Sequence, residues 1–478
     1  APPPPLAPPA PTQPPQPPGH KAASTNGAKQ DEIDWLRSEN RKILAEDSRL
    51  KMQAMKAVKD EASSLAYVLI GSTMMVMLLF YLTHNQDPDI KHCGWRVLSD
   101  ATSLFCGILC FNGYRDIMMS IPVNHSGPVI VVLGVFRLLT VFTSMQAVLA
   151  KCKTSPLRLA AAGLLGAHVT GFAAVDAFSL LQACKPFDKS PGHSFGAFLI
   201  AVIIMVVLCV AAGQVRAACS SPDAIADRAW EAQGAHSEDD AMCFSFGLLL
   251  AQFLRFCIIG HLPTLVGGES QKETKHIMFL LLAAFLSLKV MLAFGFLRAF
   301  LEQRQSFQGP VKRILHVIEG TTSMTSAWCF VFLGEWMHHS HETLKHGSTM
   351  YFSFWFAFLV TVIAFVLFFI IDKITDRVRS LKFLGNIQEA STLLVGLCWE
   401  KMFMKALYYA RIKGFRLLSK LFLRFLLVSF ILPAWYLYMF PRVHKSLEHK
   451  GGRRGEGSVL DGTEDGGGGG GARGARGS

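Results

Sequence analysis

Apolar residues along this chain gather into eleven runs of near-membrane length, at 65–83, 97–118, 128–150, 158–183, 196–217, 242–262, 276–298, 312–336, 350–372, 387–410 and 415–440. A hydrocarbon core about 30 Å thick is crossed by roughly 20 helical residues, so each run predicts a membrane-spanning helix. The tenth run holds Glu400, Lys401 and Lys405. Those charges place it inside a bundle or along the interface and leave the count at about ten to eleven spans. No ten-residue alternation of apolar and polar positions recurs, which argues against a barrel. The predicted fold is an all-α polytopic transmembrane helix bundle over residues 65–440, flanked by disordered N- and C-terminal tails.

The flanks differ in kind. Residues 1–18 hold 11 of the 22 prolines, so residues 1–30 read as a polyproline II or disordered tail with nothing apolar to fold around. Residues 31–64 open with Asp31 and Glu32. Ile33, Leu36, Ile43, Leu50, Ala54 and Ala57 then follow heptad spacing, interrupted by Asn40 and Asp47. This stretch reads either as a short coiled coil, which would allow self-association through residues 31–62, or as a juxtamembrane helix running into the first span. Residues 441–478, with Gly466 to Gly471 and Ala-Arg-Gly repeats, read as a disordered Gly/Arg-rich tail.

Composition narrows the class further. The chain is 51% hydrophobic, contains 36 Phe, and has 17% charged residues against roughly 25% in a soluble domain. A mean hydropathy of +0.33 agrees, and these values exclude both a soluble enzyme and a disordered protein. The net charge of +12 does not form a nucleic-acid-binding stripe. Its cations sit in short loops, such as Arg377, Arg379 and Lys382 or Arg411, Lys413 and Arg416, where anionic lipid headgroups attract them. Most of the 11 cysteines lie in apolar runs, among them Cys106, Cys110, Cys209, Cys257, Cys329 and Cys398, as small packing residues. No disulfide framework is expected. The chain opens on Ala1 without a Met and so reads as lacking its true start.

Lys and Arg favour the loops after odd-numbered spans, including Lys151, Lys153, Arg298, Arg304, Lys312 and Arg313, which assigns those loops to the cytoplasm. The basic N-terminal tail would then lie outside, against the rule. The glycosylation sequon Asn124-His125-Ser126 falls in the loop after span 2, on the outside in this orientation.

A weak internal repeat runs through the even spans. Asp100-Ala-Thr-Ser-Leu-Phe-Cys-Gly107 corresponds, at a shift of 140, to Asp240-Ala-Met-Cys-Phe-Ser-Phe-Gly247, and Arg115 corresponds to Arg255. Glu319-Gly-Thr-Thr322-Ser323 and Glu389-Ala-Ser-Thr392-Leu-Leu-Val-Gly396 extend it. Spacings near 70 or its multiples predict a two-span unit repeated in parallel. The acids at 100, 240, 319 and 389 read as helix N-caps at the membrane interface or as the start of polar stripes lining a path.

Deeper in their spans lie Asp176, Arg255, Lys289, Glu335 and Glu400. Arg255, set between Leu254 and Phe256, needs a partner. Asp176 is the first candidate and Glu400 the second, whether the pair serves structure or transport. Asp176, Arg255 and Glu400 are therefore the candidate intramembrane polar site. Gly163, Ala167 and Gly171 form a small-residue stripe for close helix approach.

The segment Asp240 to Pro263, with Gln252, Arg255-Phe-Cys-Ile-Ile-Gly260-His-Leu-Pro263 and then Gly267-Gly268, resembles a group of uncharacterised multi-span membrane proteins predicted from dinoflagellate genomes. Val395-Gly396-Leu-Cys-Trp399-Glu400-Lys-Met-Phe403 resembles a second signature of that group. The resemblance implies a multi-span fold and no activity.

Three motifs carry less than they promise. Gly192-His193-Ser194-Phe195-Gly196 matches GxSxG, but it follows a loop and lacks the strand that lifts such a serine. Cys106 and Cys110, four apart, read as packing before a soft-metal pair. His338, His339, His341 and His346, beside Glu335 and Glu342, form a loop cluster without the spacing of a zinc motif. The sequence therefore predicts a multi-pass, transporter- or channel-like protein for a small ion or solute. The alternative is a membrane scaffold recruiting partners through its N-terminal helix and tails. No catalysis, cofactor, metal or nucleic acid is expected.

Overall fold

The computed structural model describes residues 69–444, except 75, 121–126, 221–224, 264–272, 304–308, 341–348, 378–384 and 410–415, and a few positions between 38 and 66. The Pro-rich tail, nearly all of the expected coiled coil or juxtamembrane helix, the sequon and residues 445–478 lie outside the described residues. The chain divides into two units, Ala1–Ser63 and Ser64–Ser478, and the second is described below.

Eleven helices fall on the eleven apolar runs. They are α1 (Leu69–Thr83), α2 (Pro88–Met119), α3 (Gly127–Cys152), α4 (Pro156–Gln182), α5 (Pro191–Cys219), α6 (Ile225–Ile259), α7 (Thr274–Gln303), α8 (Pro310–Ser340), α9 (Thr349–Arg377), α10 (Gly385–Tyr409) and α11 (Arg416–Ala434), the last continued by a π-helical turn over Trp435–Met439. No strand occurs among the described residues. Proline opens α2, α4, α5 and α8, where its fixed φ suits the first helical turn and its missing N–H is not needed. At α5 the Ser190 side chain also accepts from the His193 amide, capping an orphan donor.

The fold is an all-helical bundle, and seven of its helices are long and apolar enough to cross a membrane: α3, α4, α5, α6, α7, α9 and the α11 segment. This is fewer than the expected ten or eleven spans. Helices α2, α8 and α10 are long enough, at 32, 31 and 25 residues, but too polar by composition. The reason lies in the layering.

The even helices form a closed inner ring, α2 beside α4, α4 beside α6, α6 beside α8, α8 beside α10, and α10 back against α2. Each odd helix from α3 to α9 packs outside the even helix that follows it, and α11 covers α2. Side-chain pairs establish the directions. Lys153, just past α3, meets Asp227 at the start of α6, whereas Lys405 late in α10 meets Glu335 late in α8. Gly107 and Arg115 of α2 meet His168 and Asp176 of α4 in the same order, as Glu238 and Gly247 of α6 meet Arg313 and Met324 of α8, so all five ring helices run parallel, as a repeated two-helix unit requires.

Glycine closes the ring joints. A Cβ on Gly247 of α6 would lie 2.3 Å from Met324 Cβ of α8 and 3.1 Å from its carbonyl carbon, and one on Gly107 of α2 would lie 2.9 Å from His168 Cβ of α4. Gly396 of α10 faces the Ala101 backbone of α2 at 3.4 Å. Only residues without bulk permit such approach. The large apolar side chains left exposed lie mostly on the odd helices, for example Val132 and Phe136, Ile203 and Val207, Leu282 and Leu286, Ile363, Phe425 and Phe430. In α6, 67% of the membrane-length window is buried, against 6% in the last span. The outer layer presents the apolar surface and shields the ring, so the ring helices can be polar.

Candidate functional site

Two layers of ion pairs cross the bundle, one toward each end of the ring. Toward the end where the even helices start, Glu238 of α6 is wholly inaccessible. It accepts from Arg216 of α5 at 2.5 and 3.1 Å, from Gln146 of α3 at 2.9 Å and from Arg313 of α8 at 3.1 Å. Arg216 also donates to Gln146 Oε1 at 2.8 Å. Gly234 allows the guanidinium to lie on α6, since a Cβ there would be 3.0 Å from it. Arg313 bonds Asp239 at 2.7 Å as well, and Arg298 of α7 pairs with Glu319 of α8 at 2.8 Å.

Three of the four acids read as N-caps do not cap. Asp100, Asp240 and Glu319 sit 12, 15 and 9 residues inside helices that start at Pro88, Ile225 and Pro310, because the polar segments ahead of the apolar runs are helical too. Asp100 lies 3.7 Å from Arg96, and Asp240 lies 3.6 Å from His236. Glu389 lies four residues after Gly385, where α10 starts.

Toward the other end, Asp176 of α4 pairs with the buried Arg137 of α3, bonding its Nη2 and, at 3.1 Å, its Nε. Arg115 of α2 adds a 3.5 Å contact. The carboxylate proposed for Arg255 thus serves Arg137 and Arg115. Arg255, fully buried, lies 3.9 Å from the centroid of Phe332 and 5.6 Å from that of Trp336, both on α8. Lys401 of α10 approaches the same Phe332 ring at 5.1 Å. Its neighbour Glu400 is buried, and Lys405 pairs with Glu335 at 2.8 Å while donating to Ser353 of α9. Of the three expected site residues, Arg255 and Glu400 belong to the α6–α8–α10 corner, and Asp176 belongs to the α2–α3–α4 corner.

Between the layers the ring is aromatic. Phe244 of α6 packs 4.7 Å from Phe172 and 6.5 Å from His168 of α4, and 5.9 Å from Trp328 of α8. His168 Nδ1 and Trp328 Nε1 have no hydrogen-bond partner among the described residues, whereas Trp399 and Trp435 donate to Thr361 and Ser99. Buried polar atoms of this kind are normally satisfied, so this layer is where a polar guest gains most.

Other motifs resolve simply. Ser194 of the GxSxG match lies in the first turn of α5 and is buried. All eleven cysteines are free. His338 stacks on Phe352 at 4.6 Å, and His341, Glu342 and His346 lie outside the described residues. The ligand atoms of His236, Asp240 and His316 come within 4.8 Å of one another. Arg298 Nη1, however, is 3.2 Å from His316 Nδ1, and a second cation beside that nitrogen opposes a metal ion.

Sequence reasoning missed Arg137, Arg216 and Glu238. Arg137 was legible by the rule applied to Arg255, since Phe136 and Leu138 flank it. The fold and its two ionic layers describe a helical bundle of the multi-pass membrane class, with a parallel inner ring and a lipid-facing outer layer. No protein-family model matches this chain, and no curated protein or solved structure matches it significantly.

Proposed function

We propose that the protein is a membrane transporter or channel-like protein whose polar path follows the inner ring and accepts a small anion or acidic solute. The observation carrying this reading is the convergence of Arg255 from α6 and Lys401 from α10 on Phe332 of α8. Placing an Arg at mid-membrane costs about 2.5–3.5 kcal/mol even on a lenient scale. With Lys405, these cations outnumber the two carboxylates of the corner, Glu335 and Glu400, by one, and an arriving anion balances that charge. The His168 and Trp328 atoms left unsatisfied among the described residues mark the step between this corner and the other end of the ring.

The test is flux. Purified protein in sealed liposomes should pass small inorganic anions or short-chain carboxylates. Arg255→Gln should lower that flux by about tenfold or more, the effect of roughly 1.4 kcal/mol, while the protein still elutes and melts as a folded species. A folded, reconstituted protein that passes no anion, or an Arg255→Gln variant with full flux, overturns the reading.

A further inference from the structure

Beyond the ring, the outer layer contains a cavity that the proposed path does not use. Helices α3 and α5 flank α6 without filling the space between them, leaving a cavity of about 540 Å³. Small side chains create the room, with Ala147 and Ala150 on α3 and Ala211 and Ala212 on α5. From Phe142 to Lys153 the cavity follows 11 residues of α3, about 16 Å of helix. Val215 of the lining is 62% exposed, so the cavity opens on the outer face of the bundle.

Its two ends differ. Phe142 and Leu208 line the deep end, and Lys153, Arg216 and Trp230 line the end nearest the α3–α4 and α5–α6 loops. No acid belongs to the lining. The carboxylates that partner these cations, Asp227 and Glu238, are buried behind it. Lys153 is about one-third exposed and lies 5.5 Å from the centroid of Trp230. Arg216 Nε, which lies over Gly234 of α6, has no partner among the described residues. An apolar slot with a cationic, Trp-flanked mouth at the level of helix ends matches an acyl chain joined to an anionic headgroup, since basic pockets between membrane helices recognise such headgroups and Trp favours that depth.

We infer that the α3–α5 cavity is a binding site for an anionic phospholipid, with an acyl chain between Phe142 and Leu208 and the headgroup phosphate at Lys153 and Arg216. The lipid belongs to the leaflet on the α3–α4 loop side. It would clamp α3 and α5 to α6 and cover the buried Arg216–Glu238 pair from the membrane side. This inference stands apart from the anion path, because the site lies outside the ring.

The experiment uses the full chain in phosphatidylcholine vesicles containing phosphatidylglycerol with a photoreactive acyl chain, and crosslinked peptides are mapped by mass spectrometry. Crosslinks are expected between residues 142 and 150 and between 208 and 215, at higher yield than with the same group on phosphatidylcholine. Lys153→Gln should lower the phosphatidylglycerol yield about five-fold, the contribution of one lysine near an anionic surface, and leave the phosphatidylcholine yield unchanged. Ala147→Phe with Ala211→Phe should block the slot for both lipids. Arg216 is left intact because its loss would strand Glu238, which has no exposed surface; Lys153→Gln likewise takes the lysine from Asp227, and the unchanged phosphatidylcholine yield is the control that the fold survives it. Equal yields for the two headgroups, an unchanged yield in Lys153→Gln, or crosslinks confined to other helices would overturn the inference. Displacement by inorganic phosphate would reassign the site to a free anion and overturn it equally.

Discussion

Glu238 meets Arg216 through both carboxylate oxygens, Oε1 at 2.5 Å and Oε2 at 3.1 Å, in a place where the carboxylate has no exposed surface. Four helices converge on this pair. Arg216 comes from α5, Glu238 from α6, Gln146 from α3 and Arg313 from α8. The pair thus links the outer layer to two ring helices at a level where water does not compete.

Removing one partner should therefore harm the bundle more than removing both. Glu238→Gln leaves two arginines without their shared carboxylate and should lower stability by about 3–5 kcal/mol, read as a fall in melting temperature in detergent. Arg216→Met combined with Glu238→Met should recover part of that loss, because matched apolar side chains often replace a buried pair at little cost. A single variant that melts like the parent would mean that the carboxylate is solvated.

The ring joint at Gly247 makes a sharper prediction. Alanine there would put Cβ 2.3 Å from Met324 Cβ, and the nearby Met324 and Thr325 backbone atoms at 3.1 Å prevent a simple side-chain adjustment. Gly247→Ala should cost about 1–3 kcal/mol by overpacking. Gly113→Ala, on the same helical ring but with nothing within 4 Å of its Cβ, should be neutral or stabilise by up to about 1 kcal/mol through helix propensity. Equal melting shifts would show that α6 and α8 are farther apart.

Much of this architecture was legible in the sequence. The eleven apolar runs correspond to the eleven helices, and the acid-to-Gly repeat of spans 2, 6 and 10 marked three ring helices whose Gly107, Gly247 and Gly396 stand at ring joints. The repeat also links Arg115 to Arg255, and each reaches the next ring helix, at Asp176 and at Phe332. Helix length was harder to read. A hydropathy window sees only the apolar part of α6, whereas Asp227, Trp230, Glu238 and Asp239 continue the helix by burying against neighbours. The partner of a buried charge was not legible at all, because 39 positions separate Arg137 from Asp176 and only the fold of α3 onto α4 brings them together.

That pairing is open to a coupling experiment. Asp176→Asn alone should destabilise the protein, and Arg137→Met should be the substitution that compensates it. The double-mutant cycle for Arg137 and Asp176 should give an interaction energy of about 0.5–3 kcal/mol. The corresponding cycle for Arg255 and Asp176 should give a smaller value, since Asp176 is bonded to Arg137 and Arg255 stacks on α8. A larger coupling to Arg255 than to Arg137 would refute the assignment.

The alternation of helices predicts which loops share a side. The α3–α4 turn at Thr154 and the α4–α5 turn at Lys189 lie at opposite ends of α4, a helix of 27 residues, about 40 Å long and therefore longer than the hydrocarbon core it would cross. Thr154 and Lys189 are both exposed. A single cysteine at either position, in a background without native cysteines, should react with a membrane-impermeant maleimide from one side only, and the two positions from opposite sides. The bias of Lys151 and Lys153 expects Thr154→Cys to be protected in intact cells and Lys189→Cys to be labelled. The reverse pattern would invert the orientation while leaving the bundle intact. Labelling of both from the same side would mean that α4 does not cross the membrane, and the parallel ring would lose its membrane-spanning role with it.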